Sequence, residues 1–463
     1  MAGRSRPTSR DEFEVAIVCA LPIEFDAVSL LIDESYDDNN GADRYGRATG
    51  DPNTYKTGRI GDYAVVLVLL PSMGKVSAAS ASASLRSSYP GLELVLVTGI
   101  CGGVPFIGGG GEGGKGKGKG EENEILLGDV VVSQAVIQYD LRRQYPDGFA
   151  VKDAPEERLG GPSKRVRALL TGLKTHDGEE KFERQIMLNL EGLQRKHEAR
   201  SRRRRRTGAS YQYPGAANDR LFASSYRHKH HLSHLRCDLC ARCRNHSDPV
   251  CEPSRLMSCA EVGCDEGYLV KRRRLLRPTA SSLPTQHVPR VFVGRVGSGD
   301  TVLKSGEDRD RMAKQYEIIA FEMEAAGVWD EGPCLVVKGV CDYADSHKNK
   351  NWQHYASASA AAAAKALLDR YTGVMRGKRI RRPSMMQHQQ FRRPAVSTIP
   401  FGPNPHFVER PEVTDWLRRK LTPDLGQSQS QSQGPRTVRS AGLIGPGGIG
   451  YVLKPTFFQG LCY

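Results

Sequence analysis

Acidic residues follow several apolar, strand-like runs of this sequence. These residues are Glu24, Glu322, Glu324, Asp342 and Asp345. Because ligands of α/β sheets bind at the carboxyl ends of strands, we expect these acids to converge at one sheet edge. Converging carboxylates suit acid–base chemistry on a polyhydroxylated substrate. Taken singly, an acid after a strand is more commonly a helix N-terminal charge, which the helix macrodipole stabilises.

The elements that must position these acids are continuous apolar runs. They lie at residues 15–20, 63–70, 92–103, 126–133, 291–300 and 334–342. Helical segments alternate with them, among them a small-residue helix after Pro71 and an alanine-rich helix at residues 354–371. Strands that are apolar throughout are buried on both faces, so this alternation predicts an α/β domain.

The composition indicates that part of the chain does not pack into a core. Of its 463 residues, 39% are hydrophobic, against about 45–50% in typical globular proteins. The net charge of +15 is concentrated in basic runs at residues 200–206, 271–277 and 376–382. Such runs are typical of solvated segments, with nuclear targeting or nucleic-acid contact as the alternative. They lack the interleaved aromatics of single-strand binders, so a nucleic-acid partner is the weakest hypothesis.

No targeting or membrane segment is evident. Residues 1–14 are polar, and no apolar run approaches the roughly 20 residues of a membrane helix. We therefore expect an intracellular, cytoplasmic protein with no membrane partner, and the basic runs leave a nuclear location open.

In a reducing compartment, clustered cysteines indicate a metal site rather than a disulfide. Cys237, Cys240 and Cys243 occur in "CDLCARC", with further cysteines and histidines nearby. The C-x-x-C spacing is typical of zinc sites, but the spacing of the remaining cysteines is irregular. Two alternatives stay open, a structural zinc at these three cysteines and an insertion with unliganded thiols.

Seven motifs occur in a characteristic order. They are "ALPIEFDAV", "SMGKVSAA", "TGICGG", "LGDVVVS", "GSGDTVL", "FEMEAAG" and "GVCDYAD". Together, over residues 15–371, they resemble the nucleoside phosphorylase/nucleosidase superfamily. The resemblance implies a three-layer α/β/α sandwich around a central mixed sheet, a homo-oligomer and no cofactor. The segment from "CDYADSHKNKNWQHY" onward resembles the fungal branch, whose domain precedes an NTPase module in NLR-like proteins. That branch implies a purine nucleoside or adenine nucleotide as ligand.

The resemblance also implies roles for individual residues. Glu24 would position or activate the attacking water, and Asp342 would protonate or hydrogen-bond purine N7. Such a carboxylate pair is coherent chemistry, because breaking an N-ribosyl bond builds oxocarbenium character on the sugar. The residues that would bind substrate are Gly102, Gly103, Val302, Leu303, Met323 and Glu324. Among them, Glu324 would hold the ribose 2′- and 3′-hydroxyls.

The first loop favours hydrolysis over phosphorolysis. A phosphorylase must hold phosphate, and the family's phosphorylases place an arginine in this loop. Here no Lys or Arg occurs between Phe13 and Asp43. One departure is that Ile100 and Cys101 stand where the hydrolases often have serine. A phosphorylase and a catalytically silent sensing or scaffold domain remain alternatives to the nucleosidase.

The expected domain organisation has one folded domain. Residues 1–12 are expected to be disordered and residues 13–372 to form the phosphorylase-like domain. Disordered insertions are expected at residues 108–123, of low complexity, and at about 192–286, basic and Cys-rich.

The remainder of the chain follows a linker at residues 373–400. Residues 401–463 resemble the start of an NB-ARC NTPase. Tyr451 and Val452 replace the Lys and Ser/Thr that a P-loop needs. We expect this start to be truncated and unfolded, without nucleotide binding.

Overall fold

The computed structural model describes most of the first 379 residues and two short segments beyond them. The described ranges are 6–37, 44–108, 123–146, 148–152, 159–204, 210–235, 237–245, 247–276, 288–329, 332–379, 441–444 and 450–453. The chain divides into two units, Met1–Arg381 and Arg382–Tyr463.

One mixed sheet organises the first unit. Its strands are β1 (Val15–Cys19), β2 (Glu34–Ser35), β3 (Tyr55–Ile60), β4 (Tyr63–Leu69), β5 (Leu94–Gly103), β6 (Val130–Gln138), β9 (Val291–Ser298), β10 (Ile318–Glu322) and β11 (Cys334–Asp342), in the order β10-β9-β6-β11-β5-β1-β4-β3-β2. Strands β4, β1, β5 and β11 run parallel at its centre, and β6 runs antiparallel to β11. Two further strands, β7 (Arg142–Tyr145) and β8 (Gly148–Val151), pair separately.

Helices cover both faces of this sheet. They are α1 (Pro22–Leu31), α2 (Lys75–Ser88), α3 (Lys164–Leu173), α4 (His176–Arg204), α5 (Asp238–Arg242), α6 (Glu252–Leu256), α7 (Cys259–Val262), α8 (Arg273–Leu276), α9 (Gly306–Tyr316), α10 (Ala325–Val328) and α11 (Gln353–Arg379). Alternate strand residues pack against α1, α3, α4 and α11 on one face, and against α2 and α10 on the other. The predicted three-layer α/β/α sandwich with a mixed sheet is thus confirmed.

The far edge of the sheet curls back onto its centre. The end of β10 pairs antiparallel with the end of β5, where Ala320 faces Gly103 and Phe321 faces Gly102. A Cβ at Gly103 would lie 2.6 Å from a methyl group of Val340. Glycine at the end of β5 therefore lets three strands meet at one point.

The alanine-rich helix is α11, which begins at Gln353 and lies against the centre of the sheet. A Cβ at Gly339 in β11 would lie 2.0 Å from the carbonyl oxygen of Ala356. The pairing of small residues on both elements therefore allows the helix backbone to approach the strand closely.

The Cys-rich insertion differs from the expectation of a segment without regular structure. Helix α4 continues through its beginning to Arg204, and residues 210–276 contain the short helices α5 to α8. Within it, Asp219 accepts hydrogen bonds from the Leu127 amide at 3.0 Å and the Tyr343 hydroxyl at 2.6 Å. This segment consists of short helices and buried polar contacts. Neither produces an extended pattern of apolar residues at helix or strand spacing in the sequence.

The basic run at residues 271–277 is not a uniformly solvated segment. Arg272 is 3% exposed and donates to the Tyr343 hydroxyl at 2.9 Å. Arg274 forms an ion pair with Asp129, whose side chain is fully buried. These two arginines anchor the insertion to the sheet domain, so they do not serve as exposed targeting charges.

The second unit contributes one described strand pair. Strand β12 (Ala441–Ile444) pairs antiparallel with β13 (Gly450–Leu453). A P-loop leads from a strand into a helix, whereas the residues described after the glycines form a strand. The rest of residues 401–463 and the low-complexity residues 109–122 lie outside the described ranges. Among the helices of the described ranges, none combines the length and apolarity that crossing a membrane requires.

Candidate active site

The candidate residues meet at the carboxyl end of β5. This strand lies between β1 and β11, and both neighbours run parallel to it. Glu24 follows β1 on the first turn of α1, and Asp342 is the last residue of β11. Glu324 follows β10, whose end pairs with β5. The sheet topology thus brings these acids to one edge.

Backbone amides hold the Glu24 carboxylate. Its Oε2 accepts hydrogen bonds from the amides of Ala20 and Leu21 at 2.8 and 2.9 Å, and its Oε1 accepts one from Ile100 at 2.8 Å. A Cβ at Gly99 would lie 2.2 Å from Oε1, so glycine makes room for the carboxylate. Three hydrogen bonds use three of about four lone-pair directions and leave one for a water molecule.

One buried lysine lies among the acids. Lys338 is within β11 and is 1% exposed. Its Nζ donates to Oε2 of Glu324 at 2.8 Å and lies 3.7 Å from Oε2 of Glu322. Our sequence analysis missed this residue. The available signal was a lysine inside an otherwise apolar strand, because a fully buried lysine needs a charged partner.

Burial and charge shift the pKa values of this cluster. Burial raises the pKa of the Glu24 carboxyl, Lys338 opposes the shift, and Glu324 adds to it. Burial likewise raises the pKa of Glu322, with Lys338 again opposing. Burial alone would lower the pKa of Lys338, but the charges of Glu324, Glu24 and Glu322 outweigh it and raise that pKa. The lysine therefore stays charged, and the acids Glu24 and Glu322 hold protons more readily than in water.

The two acids around Met323 have different roles. The Glu322 carboxylate accepts hydrogen bonds from the amides of Glu324 and Ala325 at 3.0 Å, so it caps α10. Glu324 occupies the N-cap position without a side-chain capping bond, and its carboxylate contacts Lys338 instead. Helix capping, the structural alternative for every acid here, thus applies to Glu322, and to Glu24 through the N-cap amide of Leu21, but not to Glu324.

Asp342 is positioned by the loop that follows β11. Its Oδ1 accepts a hydrogen bond from the Ala344 amide at 2.8 Å, and its Oδ2 lies 3.0 Å from Nζ of Lys348. Ala344 has a φ of +52°, a left-handed conformation that is strained for a residue with a Cβ. A Cβ at Gly102 would lie 2.9 Å from Oδ1, so β5 approaches the carboxylate closely.

The predicted substrate-binding residues are only partly gathered at this edge. Met323 is half-buried between the two acids, and Leu303 packs on a small apolar cluster that includes Ala344. Val302 is 49% exposed. Gly102 and Gly103 lie in the β ladders, and their lack of side chains accommodates β10 and β11.

Two further sequence motifs, "SMGKVSAA" and "GSGDTVL", meet beside the carboxylate cluster. Nζ of Lys75 lies 2.6 Å from Asp140, and the Lys75 amide donates to Asp300 at 2.8 Å. A Cβ at Gly327 would lie 2.1 Å from the carbonyl oxygen of Lys75. The small residues of "FEMEAAG" let α10 pack both on the sheet and on the start of α2.

Two groups of cysteine and histidine side chains could hold metal ions. The first is His230, Cys237, Cys240 and Cys251, and the second is His228, Cys259, Cys264 and His347. Within each group the four ligand atoms lie within 4.8 Å of one another. Cys243, the third cysteine of the predicted trio, belongs to neither group, and its sulfur lies 3.9 Å from the carbonyl oxygen of Asn245.

One cavity is separate from the carboxylate cluster. It has a volume of about 1310 Å³ and is lined, among others, by Val104, Phe106, Arg167, Arg309 and Ile319. None of the predicted site residues lines it. Glu24, Glu324 and Asp342 are only 2%, 4% and 7% exposed. The carboxylates offer groups that can transfer protons, whereas volume alone supplies no reactive group.

Comparison with known proteins found a family model and a curated relative that match this chain. Residues 14–211 match the sequence model of the phosphorylase superfamily. A "Nucleotide-binding leucine-rich repeat (NLR)-like protein" of Hyaloscypha variabilis is 28% identical over 446 residues, which cover 95% of this chain. The chain spans only 35% of that relative's length.

Two solved structures give the scale of structural similarity. The 5′-methylthioadenosine/S-adenosylhomocysteine nucleosidase of Neisseria meningitidis is 15% identical with a TM-score of 0.41, over 77% of this chain and 99% of that one. The futalosine hydrolase of Helicobacter pylori is 14% identical with a TM-score of 0.41, over 78% of this chain and 98% of that one.

Proposed function

We propose that this protein is an N-ribosyl hydrolase. The match of residues 14–211 to the phosphorylase superfamily supports this proposal. Its substrate would be a purine nucleoside or an adenine nucleotide, the ligand class that the sequence motifs imply. The observation that carries the proposal is the meeting of Glu24, Glu324 and Asp342 around the end of β5. Breaking a glycosidic bond uses a pair of carboxylates as acid and base, and a third would hold the sugar.

In the proposed reaction, Asp342 acts on the leaving base. It would hydrogen-bond or protonate purine N7, which draws electrons from the N-ribosyl bond as that bond breaks. Lys348 and the Ala344 amide fix the Asp342 side chain in place before substrate arrives, and its protonated carboxyl would supply the proton that N7 accepts. No metal or cofactor takes part in this step.

Glu24 acts on the other reactant. A water at its remaining lone pair would be oriented by a carboxylate that three amides hold rigidly. Because burial raises the pKa of Glu24, this carboxylate is a stronger base than one in water. Glu324 would hold the ribose hydroxyls while Lys338 donates a hydrogen bond to its Oε2 at 2.8 Å. The charged carboxylates also favour the positive sugar of the transition state.

The charges at the site favour water over phosphate as the nucleophile. Lys338 is engaged by Glu324 and Glu322, and Lys348 is engaged by Asp342. A phosphate entering beside Glu24 would therefore meet carboxylates before it met an unengaged cation in the described part of the site.

Product analysis tests the proposal. Full-length protein would be incubated with adenosine, AMP and ATP, with and without phosphate, and the base and sugar products identified. We expect free adenine and a free sugar product without phosphate. Strict dependence on phosphate, with ribose 1-phosphate as product, would instead establish a phosphorylase.

A second candidate is a ligand-sensing domain without turnover. The deep burial of Glu24, Glu324 and Asp342 favours it, because substrate must displace packed side chains to reach them. The similarity to an NLR-like protein is consistent with a sensing role. Calorimetric binding of a purine nucleoside, with no base released over the same period, would support this candidate against the hydrolase.

A further inference from the structure

We propose that the Cys-rich insertion binds two zinc ions. One of them ties the insertion to the loop that follows Asp342, which is the catalytic loop of the proposed hydrolase. Zinc site A consists of His230, Cys237, Cys240 and Cys251. Zinc site B consists of His228, Cys259, Cys264 and His347. In both sites the donors are imidazole nitrogens and thiol sulfurs, the set that structural zinc prefers in proteins.

The distances within site A fit a tetrahedral zinc. Zn–S bonds of about 2.3 Å and Zn–N bonds of about 2.0–2.1 Å put tetrahedral S–S edges at about 3.8 Å and S–N edges at about 3.5 Å. The sulfurs of Cys240 and Cys251 are 3.7 Å apart, and Nδ1 of His230 lies 3.5 Å from the Cys251 sulfur. A disulfide would need about 2.05 Å between sulfurs, so these thiols are not bonded.

Site B has the same dimensions. Nδ1 of His228 lies 3.7 Å from the sulfur of Cys259 and 3.4 Å from that of Cys264. Nδ1 of His347 lies 3.6 and 3.7 Å from the same two sulfurs. All four sulfur–nitrogen edges therefore come within a few tenths of an ångström of the tetrahedral value.

The outer contacts of site B orient its histidines for metal binding. Nε2 of His228 lies 3.0 Å from the carbonyl oxygen of Met257, and Nε2 of His347 lies 3.1 Å from that of Tyr226. A ring nitrogen against a carbonyl must carry the proton, so the Nδ1 lone pair of each neutral ring is left for a metal.

The small core of the insertion also calls for metal. The hydrophobic cluster centred in it contains only the buried residues Cys240, Cys243 and Val250, packed with two more cysteines. Such a core supplies little burial free energy to order short helices. Structural zinc supplies folding free energy directly, which accounts for an ordered segment without apolar periodicity.

Site B links the insertion to the candidate active site. Three of its ligands come from the insertion, but His347 lies in the loop that follows Asp342. The adjacent Lys348 contacts Asp342 at 3.0 Å, and Phe222 of the insertion stacks on the His347 ring at 4.2 Å. A zinc at site B would therefore hold the loop that positions Asp342, whereas site A lies wholly within the insertion.

Metal content tests the two sites. Full-length protein purified under reducing conditions without chelator should contain about two zinc ions per chain by elemental analysis. Cys237→Ser with Cys240→Ser should remove about one, and Cys259→Ser with Cys264→Ser should remove the other. Cys243→Ser is the matched control, since it alters a cysteine of the same motif outside both sites, and it should keep both ions.

Zinc-free wild-type protein, or an equal loss in Cys243→Ser, would overturn the proposal. If a double variant fails to fold, cobalt(II) added to metal-stripped wild-type chain decides instead. Tetrahedral cobalt–thiolate sites absorb visible light strongly, and the absorption should level off at about two cobalt ions per chain. Absence of that absorption would refute the sites without any variant.

Hydrogen exchange tests the link to the catalytic loop. In the site B double variant, backbone amides of residues 342–350 should exchange faster than in wild type. In the site A double variant they should exchange at the wild-type rate, because the site A ligands all lie in the insertion. Equal effects of the two variants, or no effect of either, would overturn the proposed coupling.

Discussion

At the scale of single residues, the proposed mechanism depends most directly on Asp342. Asp342→Asn keeps a side chain of the same shape but cannot donate a carboxyl proton, so kcat should fall by roughly 10²–10⁴-fold. KM should change little, because the ground-state hydrogen bond to the base can persist. Steady-state kinetics would measure both. Asp26→Asn, at an exposed carboxylate on α1, is the matched control and should behave as wild type.

The competing structural role of Asp342 has a different signature. If the carboxylate only stabilised its loop, Asp342→Asn would melt earlier and still turn over substrate normally. That result would contradict the assigned acid role and favour the sensing domain.

Lys338 should control both stability and its pH dependence. Lys338→Met leaves Glu324 and its neighbours buried without their cation, which should cost about 3–5 kcal/mol at neutral pH. Burial already raises the pKa values of Glu24 and Glu322, and without the lysine both values should rise further. A carboxyl with a raised folded-state pKa favours the fold at low pH and loses that contribution as pH rises through it.

The loss in Lys338→Met should therefore be smaller at acidic than at alkaline pH, as measured by denaturant unfolding. Lys314→Met, at an exposed position of α9 outside the carboxylate cluster, provides the control. A loss in Lys338→Met that does not change with pH would show that the carboxylates do not titrate around this lysine.

The sequence revealed the acids but not their environment. Glu24 and Asp342 could be predicted because each stands where an apolar run ends. Lys338 could not be assigned a partner, since the acids that surround it come from β10 and α1, distant in sequence. The different roles of Glu322 and Glu324 depend on the directions of their side chains. These directions cannot be read from a spacing of two residues in the sequence.

At the scale of elements, the contact of α10 with α2 shapes the acidic edge. Gly327→Ala would place a Cβ 2.1 Å from the carbonyl of Lys75, so backbone must shift. We expect a loss of about 1–3 kcal/mol in unfolding free energy, as for other overpacked sites. Gly192→Ala in α4 is the control, because a Cβ there meets nothing within 4 Å. It should stabilise by about 0.5–1 kcal/mol through helix propensity.

The elements that could be predicted are those with a strong local pattern. Strands β1, β5 and β11 and helix α11 follow from continuous apolar runs and an alanine-rich segment. The antiparallel pairing of β10 with β5 could not be predicted, because it depends on the curl of the sheet. Helix α4 was not predicted, and its C-terminal turns are rich in arginine rather than in apolar residues.

At the scale of the whole molecule, the question is whether the insertion folds as part of the sheet domain. Residues 210–276 could not be predicted as ordered, because their contacts are buried polar pairs and clustered thiols. Such contacts produce no hydrophobic periodicity in the sequence. Arg274 joins them to the domain through its ion pair with Asp129 beside β6. This pair is buried, so it should matter more than the many exposed ion pairs of α4.

Arg274→Met tests that unity. It would leave the Asp129 charge buried with its main cationic partner removed, at a cost of about 3–5 kcal/mol. Because the pair spans the insertion and the sheet domain, the loss should lower one cooperative transition, seen alike by circular dichroism and tryptophan fluorescence. The exposed neighbour Arg273 supplies the control, and Arg273→Met should change stability by less than about 0.5 kcal/mol. Two separate transitions in Arg274→Met, with the sheet domain melting at the wild-type temperature, would show instead that the insertion folds on its own.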